Sequence, residues 1–297
     1  MRKLSAEEVA SLFPRLAQIP DRPKILYIEG DVPDQALRHL CVVGSRRHTP
    51  YGKEACEMLI EGLRGYPIVI VSGLALGIDG VAHRSALKAG LKTIAIPGSG
   101  LDRTILYPAT HHNLAEEITD LDSDGKTKGA LMTEFEPLMK AEQWTFPQRN
   151  RIMAGLCDAT LVIEADMKSG TLITARLATE YNRDVLAVPG SIFSGPSQGP
   201  NDLIYRGAVP IRTSADILEA LHIVPRSESP DDAKEILELS PAEQRVLNML
   251  SEPLDRPTLI NALVSESNMK INEASILVSL LEIKGLIKER AGLMVVG

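Results

Sequence analysis

Five short runs of β-branched and aliphatic residues, each closed by Gly, Ser or Pro and followed by a helical stretch, constrain this fold more than any other feature. Cys41-Val-Val-Gly44 precedes a helical pattern over 50–63, and Ile68-Val-Ile-Val71 leads through Ser72-Gly73 to another over 78–87. Thr93-Ile-Ala-Ile-Pro97 ends at Gly98-Ser-Gly100 ahead of a polar helix near 110–118. Thr160-Leu-Val-Ile163 reaches Ser169-Gly170 and a helix over 172–181, and Val185-Leu-Ala-Val188 ends at Pro189-Gly190. Because the runs are continuous rather than alternating, each strand is buried on both faces, as in a parallel sheet covered by helices. Strand–helix alternation on this scale predicts an α/β fold built on a doubly wound, mostly parallel sheet.

A chain of 297 residues has the length of about two domains. The second begins after 224–239, a stretch rich in Pro, Ser and acids with the composition of a linker. Ser240-Pro241-Ala-Glu243 then supplies a helix cap, a first-turn proline and an early acid ahead of Val246, Leu247 and Leu250. Two more helical periods follow over 257–264 and 271–283, and 286–296 reads as a hairpin turning near Ala291-Gly292. Three helices and a hairpin predict a small winged-helix-like domain over 240–297. The expected division is a short N-terminal helical segment (1–24), the doubly wound domain (25–223), the linker and this C-terminal domain.

Several classes are disfavoured at once. No run approaches the roughly 18 apolar residues of a membrane span, and the opening Met1-Arg2-Lys3-Leu4-Ser5 leads into acids rather than a signal-peptide core, so the expectation is a cytoplasmic protein without membrane contact. Cys41, Cys56 and Cys157 are scattered and odd in number, which fits neither a disulfide framework nor a CxxC zinc site. A net charge of −7 means that any nucleic-acid binding must rest on cations focused locally.

In doubly wound sheets ligands bind beyond the carboxyl ends of the strands, where turns present backbone N–H groups and helix N-termini. Four turns qualify. Gly44-Ser45-Arg46-Arg47 offers a hydroxyl and two guanidinium groups, Ser72-Gly73 and Gly98-Ser99-Gly100 offer small residues, and Lys168-Ser169-Gly170-Thr171 offers an ammonium and two hydroxyls before a helix. Small residues also serve merely to make tight turns; two of the four carry cation clusters, and together they point to an anion-binding surface, phosphate above all. Phe146-Pro-Gln-Arg149-Asn150-Arg151 adds a ring beside guanidinium groups, in a chain with only 4% aromatics. Such a set can stack a base and hold a phosphate of a single strand; equally, it is a helix-entry loop with Phe146 in the core and the arginines in water.

Other chemistry finds less support. There is no GxGxxG with a following acid and no GxxxxGK[ST], so neither a dinucleotide cofactor nor an ordinary phosphate-loop ATPase is expected. The histidines do not cluster for a metal. Asp79 and His83, four apart on one helix face, read as a helix-stabilising polar pair rather than an oriented base. Ser72, His83 and Asp102 lack the GxSxG elbow that would support a triad.

The motifs taken together resemble the DNA-processing protein A family (DprA, also called Smf). The resemblance rests on Val43-Gly-Ser-Arg-Arg-His-Thr-Pro-Tyr-Gly52, Ser72-Gly-Leu-Ala-Leu-Gly-Ile-Asp-Gly-Val-Ala-His83, Pro97-Gly-Ser-Gly-Leu-Asp102 with Tyr107-Pro108, and Phe146-Pro-Gln-Arg-Asn-Arg-Ile152. Ser169-Gly-Thr-Leu-Ile-Thr-Ala175, Ala187-Val-Pro-Gly190 and Gly199-Pro-Asn-Asp-Leu-Ile204 continue it in order, so that it runs over 25–208. It implies an extended Rossmann-like domain that binds single-stranded DNA, forms a homodimer and loads the RecA recombinase during natural transformation and recombination in competent cells, without catalysis or cofactor. Single-strand-binding protein is a further implied partner. Carried over by residue, Gly44, Ser45 and Arg46, the loop residues Phe146, Arg149 and Asn150, and Lys168, Ser169, Gly170 and Thr171 would meet the DNA. Three departures stand out: Leu76 replaces the family's usual Arg, 137–142 lacks its Gly/Pro-rich run, and the segment before the Rossmann-like domain is shorter than the helical domain of some members.

The rival reading is a nucleotide phosphoribohydrolase-like enzyme, whose PGG-x-GT-x2-E loop corresponds to 168–174. Thr174 stands where that family has its catalytic glutamate, and a hydroxyl is no general base at neutral pH. The C-terminal region 224–297 has 8 Lys and Arg against 12 Asp and Glu, a net of −4, which suits protein contact better than duplex reading.

Overall fold

Residues 1–122, 125–224, 240–250, 252–267, 269–283, 285–290 and 292–296 are described by the computed structural model. Along the chain, β1 (Arg2–Ser5), α1 (Ala6–Leu12) and α2 (Pro14–Ala17) precede β2 (Ile25–Gly30) and β3 (Arg38–Val43). Helices and strands then alternate: α3 (Pro50–Glu61), β4 (Ile68–Ser72), α4 (Ile78–Lys88), β5 (Lys92–Ala95), α5 (His112–Thr119), β6 (Gly129–Thr133), α6 (Thr145–Leu156) and β7 (Ala159–Val162). The first unit finishes with α7 (Thr171–Glu180), β8 (Asp184–Ala187), α8 (Gly195–Tyr205), β9 (Val209–Pro210) and α9 (Ser214–Ala220).

Among the described residues these strands form one sheet in the order β1-β2-β6-β5-β4-β3-β7-β8-β9. It is parallel from β6 through β9 and antiparallel where β1 meets β2 and β2 meets β6. The register sets Cys41 opposite Val71 on one side and Thr160 on the other. Since successive strand residues face opposite ways, Leu40 and Val42 enter one core with α3, α4 and α9, while Cys41 and Val43 enter the other with α1, α2, α6 and α7. Burial on both faces is why the runs carry no polar alternation.

All five strands expected from those runs are present. The segment 1–24 contains helices, as expected, but it opens with a strand and belongs to the same compact unit, Met1–Pro225. Its Leu4, Val9, Phe13 and Leu16 pack against Ile152, Met153 and Leu156 of α6. Strands β2, β6 and β9 and helix α8 lie where the sequence pattern was silent.

The second unit, Arg226–Gly297, comprises α10 (Pro241–Met249), α11 (Arg256–Ser267), α12 (Ile271–Ile283), β10 (Ile287–Arg290) and β11 (Leu293–Val296). Ser240 and Glu243 close a capping box at the start of α10. Val246, Leu259, Val278, Leu281, Ile287 and Met294 form its core, and Leu254 bridges to Met294 beside the hairpin. Three helices and an antiparallel hairpin are thus in place; all but Val224 of the expected linker, and Ala291 of the expected turn, lie outside the described residues.

Candidate functional site

The sheet reverses its winding at β3: the chain builds outward to β4 and β5 on one side, and to β7 and β8 on the other. Beyond the carboxyl ends of β3 and β7 lies a pocket of about 650 Å³, the place where doubly wound sheets open a crevice. Gly44, Ser45 and Arg46, Phe146, Arg149 and Asn150, and Lys168, Ser169, Gly170 and Thr171 all line it. The ten residues expected from the sequence therefore meet in one cavity, although they come from three separate segments.

The turn after β3 is fixed by close backbone approach. A Cβ at Gly44 would stand 2.5 Å from Ile78 Cγ1, so only glycine lets α4 come this near. Ile78 N donates to Ser45 O (3.1 Å) and Thr171 Oγ1 donates to Gly44 O (3.0 Å), which ties the turn to the first residues of both α4 and α7. Ser45 Oγ accepts from Arg47 N (3.0 Å). Arg46 and Arg47 remain exposed, and the Arg46 guanidinium stands 4.7 Å from the centre of the Phe146 ring, a cation–π arrangement.

Phe146 is half-buried at the start of α6, edge-on to Tyr107 at 5.8 Å. A Cβ at Gly98 would lie 2.7 Å from its ring, so the Gly98-Ser99-Gly100 turn supports the ring rather than facing the cavity. The Ser72-Gly73 turn is likewise covered, because Arg149 occupies it. The Arg149 guanidinium donates to the carbonyls of Gly73 and Ile96, and its Nε donates to Asn150 Oδ1 (3.1 Å). Only 4% of Arg149 is exposed. Asp79 lies beside it; burial pushes that carboxyl above its ordinary range, and the Arg149 charge pulls it back part of the way.

Two expectations are corrected here. The segment 146–151 is helix, not loop, because Pro147 is tolerated in a first turn while Ile152, Met153 and Leu156 need a helical face to reach the core. Its arginines are not free cations: Arg149 is buried in the pocket floor, and Arg151 pairs with Glu134 and Asp21. At the fourth turn, Ser169 N donates to Asp166 O (2.8 Å), Leu172 N to Ser169 O (3.1 Å) and Thr171 N to Ser169 Oγ (3.2 Å). Among the described residues the N–H groups of Lys168 and Gly170 have no protein partner, and a Cβ at Gly170 would meet nothing within 4 Å. An anion can come up against this backbone. Among the described residues Arg46, Arg47 and Lys168 form no ion pair, so the pocket holds three available positive charges.

The structure disperses the other candidates. Ser72 Oγ donates to Val42 O (2.7 Å), His83 Nδ1 meets Thr93 Oγ1 (2.8 Å), and Asp102 accepts from Thr104, so no triad forms. Asp79 accepts from Ala75 N (3.3 Å), so it and His83 have separate partners and are not the expected polar pair. Among the described residues no His/Cys/Asp/Glu group could hold a metal ion, and no helix is long and apolar enough to cross a membrane. Asp79, Asp166, Met153 and Thr174 also line the pocket without having been expected there. Asp166 had a legible signal in its place between the end of β7 and Lys168, and Thr174 in its place in the 168–174 loop.

The family model described as DNA recombination-mediator protein A matches residues 8–222 of the chain. Protein Smf of Escherichia coli is 36% identical over 282 residues, 92% of this chain and 72% of that protein. DNA processing protein DprA of Streptococcus pneumoniae is 41% identical over 203 residues, 68% of each. Its X-ray structure superimposes with a TM-score of 0.66 at 38% identity, covering 73% of both chains. DNA processing protein A from Helicobacter pylori, whose structure addresses its single-stranded DNA binding mode, superimposes with a TM-score of 0.62 at 31% identity, covering 70% of this chain and 91% of that one.

Proposed function

The chain belongs to the DNA recombination-mediator protein A family, and on that premise we propose that it is a DNA-processing protein of transformation and recombination that holds single-stranded DNA in the pocket at the β3–β7 switch point. One observation carries the reading: among the described residues Arg46, Arg47 and Lys168 have no carboxylate partner, all three line the pocket with Phe146, and Arg46 lies over its ring. Cations that track phosphates beside an aromatic face suit an unpaired strand, whose bases are free to stack, better than a duplex. Arg149 and Asn150 serve this site from beneath, by fixing α6 and thereby the ring.

Catalysis is not part of the reading. Among the described pocket residues Thr174 is buried in the wall, Asp79 is held against Arg149 and Asp166 stands exposed at the rim, an arrangement that favours binding over general-base chemistry. The proposal extends to a cytoplasmic homodimer that loads RecA onto strands coated with single-strand-binding protein. A symmetric pair sets two pockets side by side and raises their effective concentration for one strand. In the winged-helix-like C-terminal unit, α12 exposes Ile276 and Leu280 rather than cations, which favours protein contact over duplex reading.

The test is a gel shift of single-stranded and duplex oligonucleotides over a salt series, with light scattering and a RecA-filament assay on coated strands. Preference for the single strand is expected. Equal or tighter duplex binding under matched salt would overturn the reading.

A further inference from the structure

We infer that Phe193, on the 189–194 turn, is a second base-stacking position for single-stranded nucleic acid leaving the pocket. The inference rests on the pocket being the strand's entry site, as proposed above.

The chain has four phenylalanines; Phe13 and Phe135 are buried and Phe146 lines the pocket, but Phe193 is 93% exposed beside Ile192 at 77%. A ring in water contributes nothing to folding, and this one is not on a loose tail. The Asn201 side chain clamps both the N–H and the C=O of Gly190 (3.2 and 3.0 Å), and the Tyr51 hydroxyl donates to Pro189 O (2.6 Å). Ser194 N donates to Ser191 O (3.0 Å), closing the turn around the ring. An aromatic presented on a fixed surface turn is the arrangement of a binding contact.

The turn is continuous with the pocket. Ala165 N donates to Pro196 O (2.8 Å) and Ala165 O accepts from Gly199 N (2.9 Å), so the start of α8 is bonded to the loop that supplies Asp166 and Lys168. A Cβ at Gly195 would stand 3.3 Å from Asp166 Oδ1. Asp166 thus lines the pocket and stands next to the first residue of α8. Its carboxylate repels phosphate, so a strand crossing this rim keeps its backbone on the Lys168 side and turns its bases toward Phe193. Stacking on a ring tolerates any base, as a path without sequence preference requires.

The test measures binding of labelled oligothymidylates, from a length that fills the pocket alone to several times that length, by wild type, Phe193→Ala and Phe193→Trp. On long strands Phe193→Ala is expected to bind about 5- to 150-fold more weakly, the range for one lost base stack. The shortest strand binds both alike, the salt slope stays at the wild-type value because no phosphate contact is lost, and Phe193→Trp restores affinity. Equal binding by wild type and Phe193→Ala at every length overturns the inference while leaving the pocket in place. So does a change of mass in light scattering, which would assign Phe193 to a contact between copies of the chain. A wild type that binds no strand at all would instead remove the pocket reading on which the inference stands.

Discussion

Arg149→Ala and Arg46→Ala should fail in opposite ways, although both remove an arginine from one pocket. The Arg149 guanidinium is buried, bonded to the carbonyls of Gly73 and Ile96, and set beside Asp79. Truncating it leaves those carbonyls and a buried carboxylate without their cation, a loss of about 3–5 kcal/mol. In a unit the size of Met1–Pro225 each kcal/mol lowers Tm by roughly 2–4 °C, so a fall of roughly 6–20 °C is expected. Arg46 is exposed and unpaired among the described residues, so its removal should shift stability by no more than about 0.5 kcal/mol. Its cost falls on binding: one lost phosphate contact lowers the logarithmic salt slope by about 0.7, or about fivefold in affinity across a tenfold change of salt. Lys168→Ala should match it. Thermal melts of the three variants, with gel shifts over that salt range, separate the two roles. An Arg149→Ala protein that melts like wild type and loses salt slope as Arg46→Ala does would refute the division into floor and rim. If Arg46→Ala and Lys168→Ala both fold and bind like wild type, the site is elsewhere.

Gly98→Ala would force Phe146 from its seat, since the new Cβ lies 2.7 Å from the ring; weaker single-strand binding with an unchanged salt slope is expected in gel shifts. A protein truncated after His222 should keep both single-strand binding and dimerisation, because every pocket residue lies upstream; light scattering and a gel shift check this, and a monomer that no longer binds would assign both to the C-terminal unit. Burial pushes the His83 imidazole down to about 3, so the unfolded chain takes up that proton first. Its contribution to stability is complete above about pH 6.5 and falls by about 1.4 kcal/mol per unit as pH drops toward 3. His39, also lowered by burial, acts in the same sense. Urea unfolding between about pH 6.5 and 5 should show a shallower pH dependence in His83→Asn than in wild type, and an identical dependence would exclude His83 as a source.

What the sequence made legible follows from what each residue needs locally. Strands β3, β4, β5, β7 and β8 are buried on both faces, so their runs are uninterrupted and easily seen. Strand β6 is as deeply buried, but Gly129-Ala-Leu-Met-Thr133 lacks an aliphatic β-branched residue. Its Gly129 is required because a Cβ there would collide with Thr93 O, a constraint set by a neighbouring strand and invisible in the chain itself. Helix α8 begins Gly195-Pro-Ser-Gln-Gly-Pro200, among the poorest of helix formers; its bonds to Ala165 hold it. The pocket-lining residues were legible because doubly wound sheets open their crevice at strand ends, and there small residues and cations coincide in this sequence. Arg149 lines the pocket, but its burial was not legible, since nothing in Phe-Pro-Gln-Arg-Asn-Arg tells which guanidinium goes inward.

The charge balance now has a physical reading. Many basic groups outside the pocket are matched to acids: Arg15 and Arg38 with Asp158, Lys92 with Asp122, Arg103 with Glu29, Arg151 with Glu134, Arg206 with Asp202 and Arg212 with Asp216. Matched pairs cancel beyond the roughly 8 Å over which salt leaves charges visible, so a phosphate at the pocket responds to Arg46, Arg47 and Lys168, and to Asp166 at the rim, more than to the net −7. On the proposed reading, three such contacts give a salt slope of only about 2, shallow for a polyanionic ligand. The remaining affinity must then come from contacts that salt does not weaken. On the proposed reading, stacking on Phe146, and on Phe193 as the strand leaves the pocket, is the kind of contact this surface offers, and it would let an acidic chain retain a single strand while most of its surface stays free of nonspecific attraction to duplex.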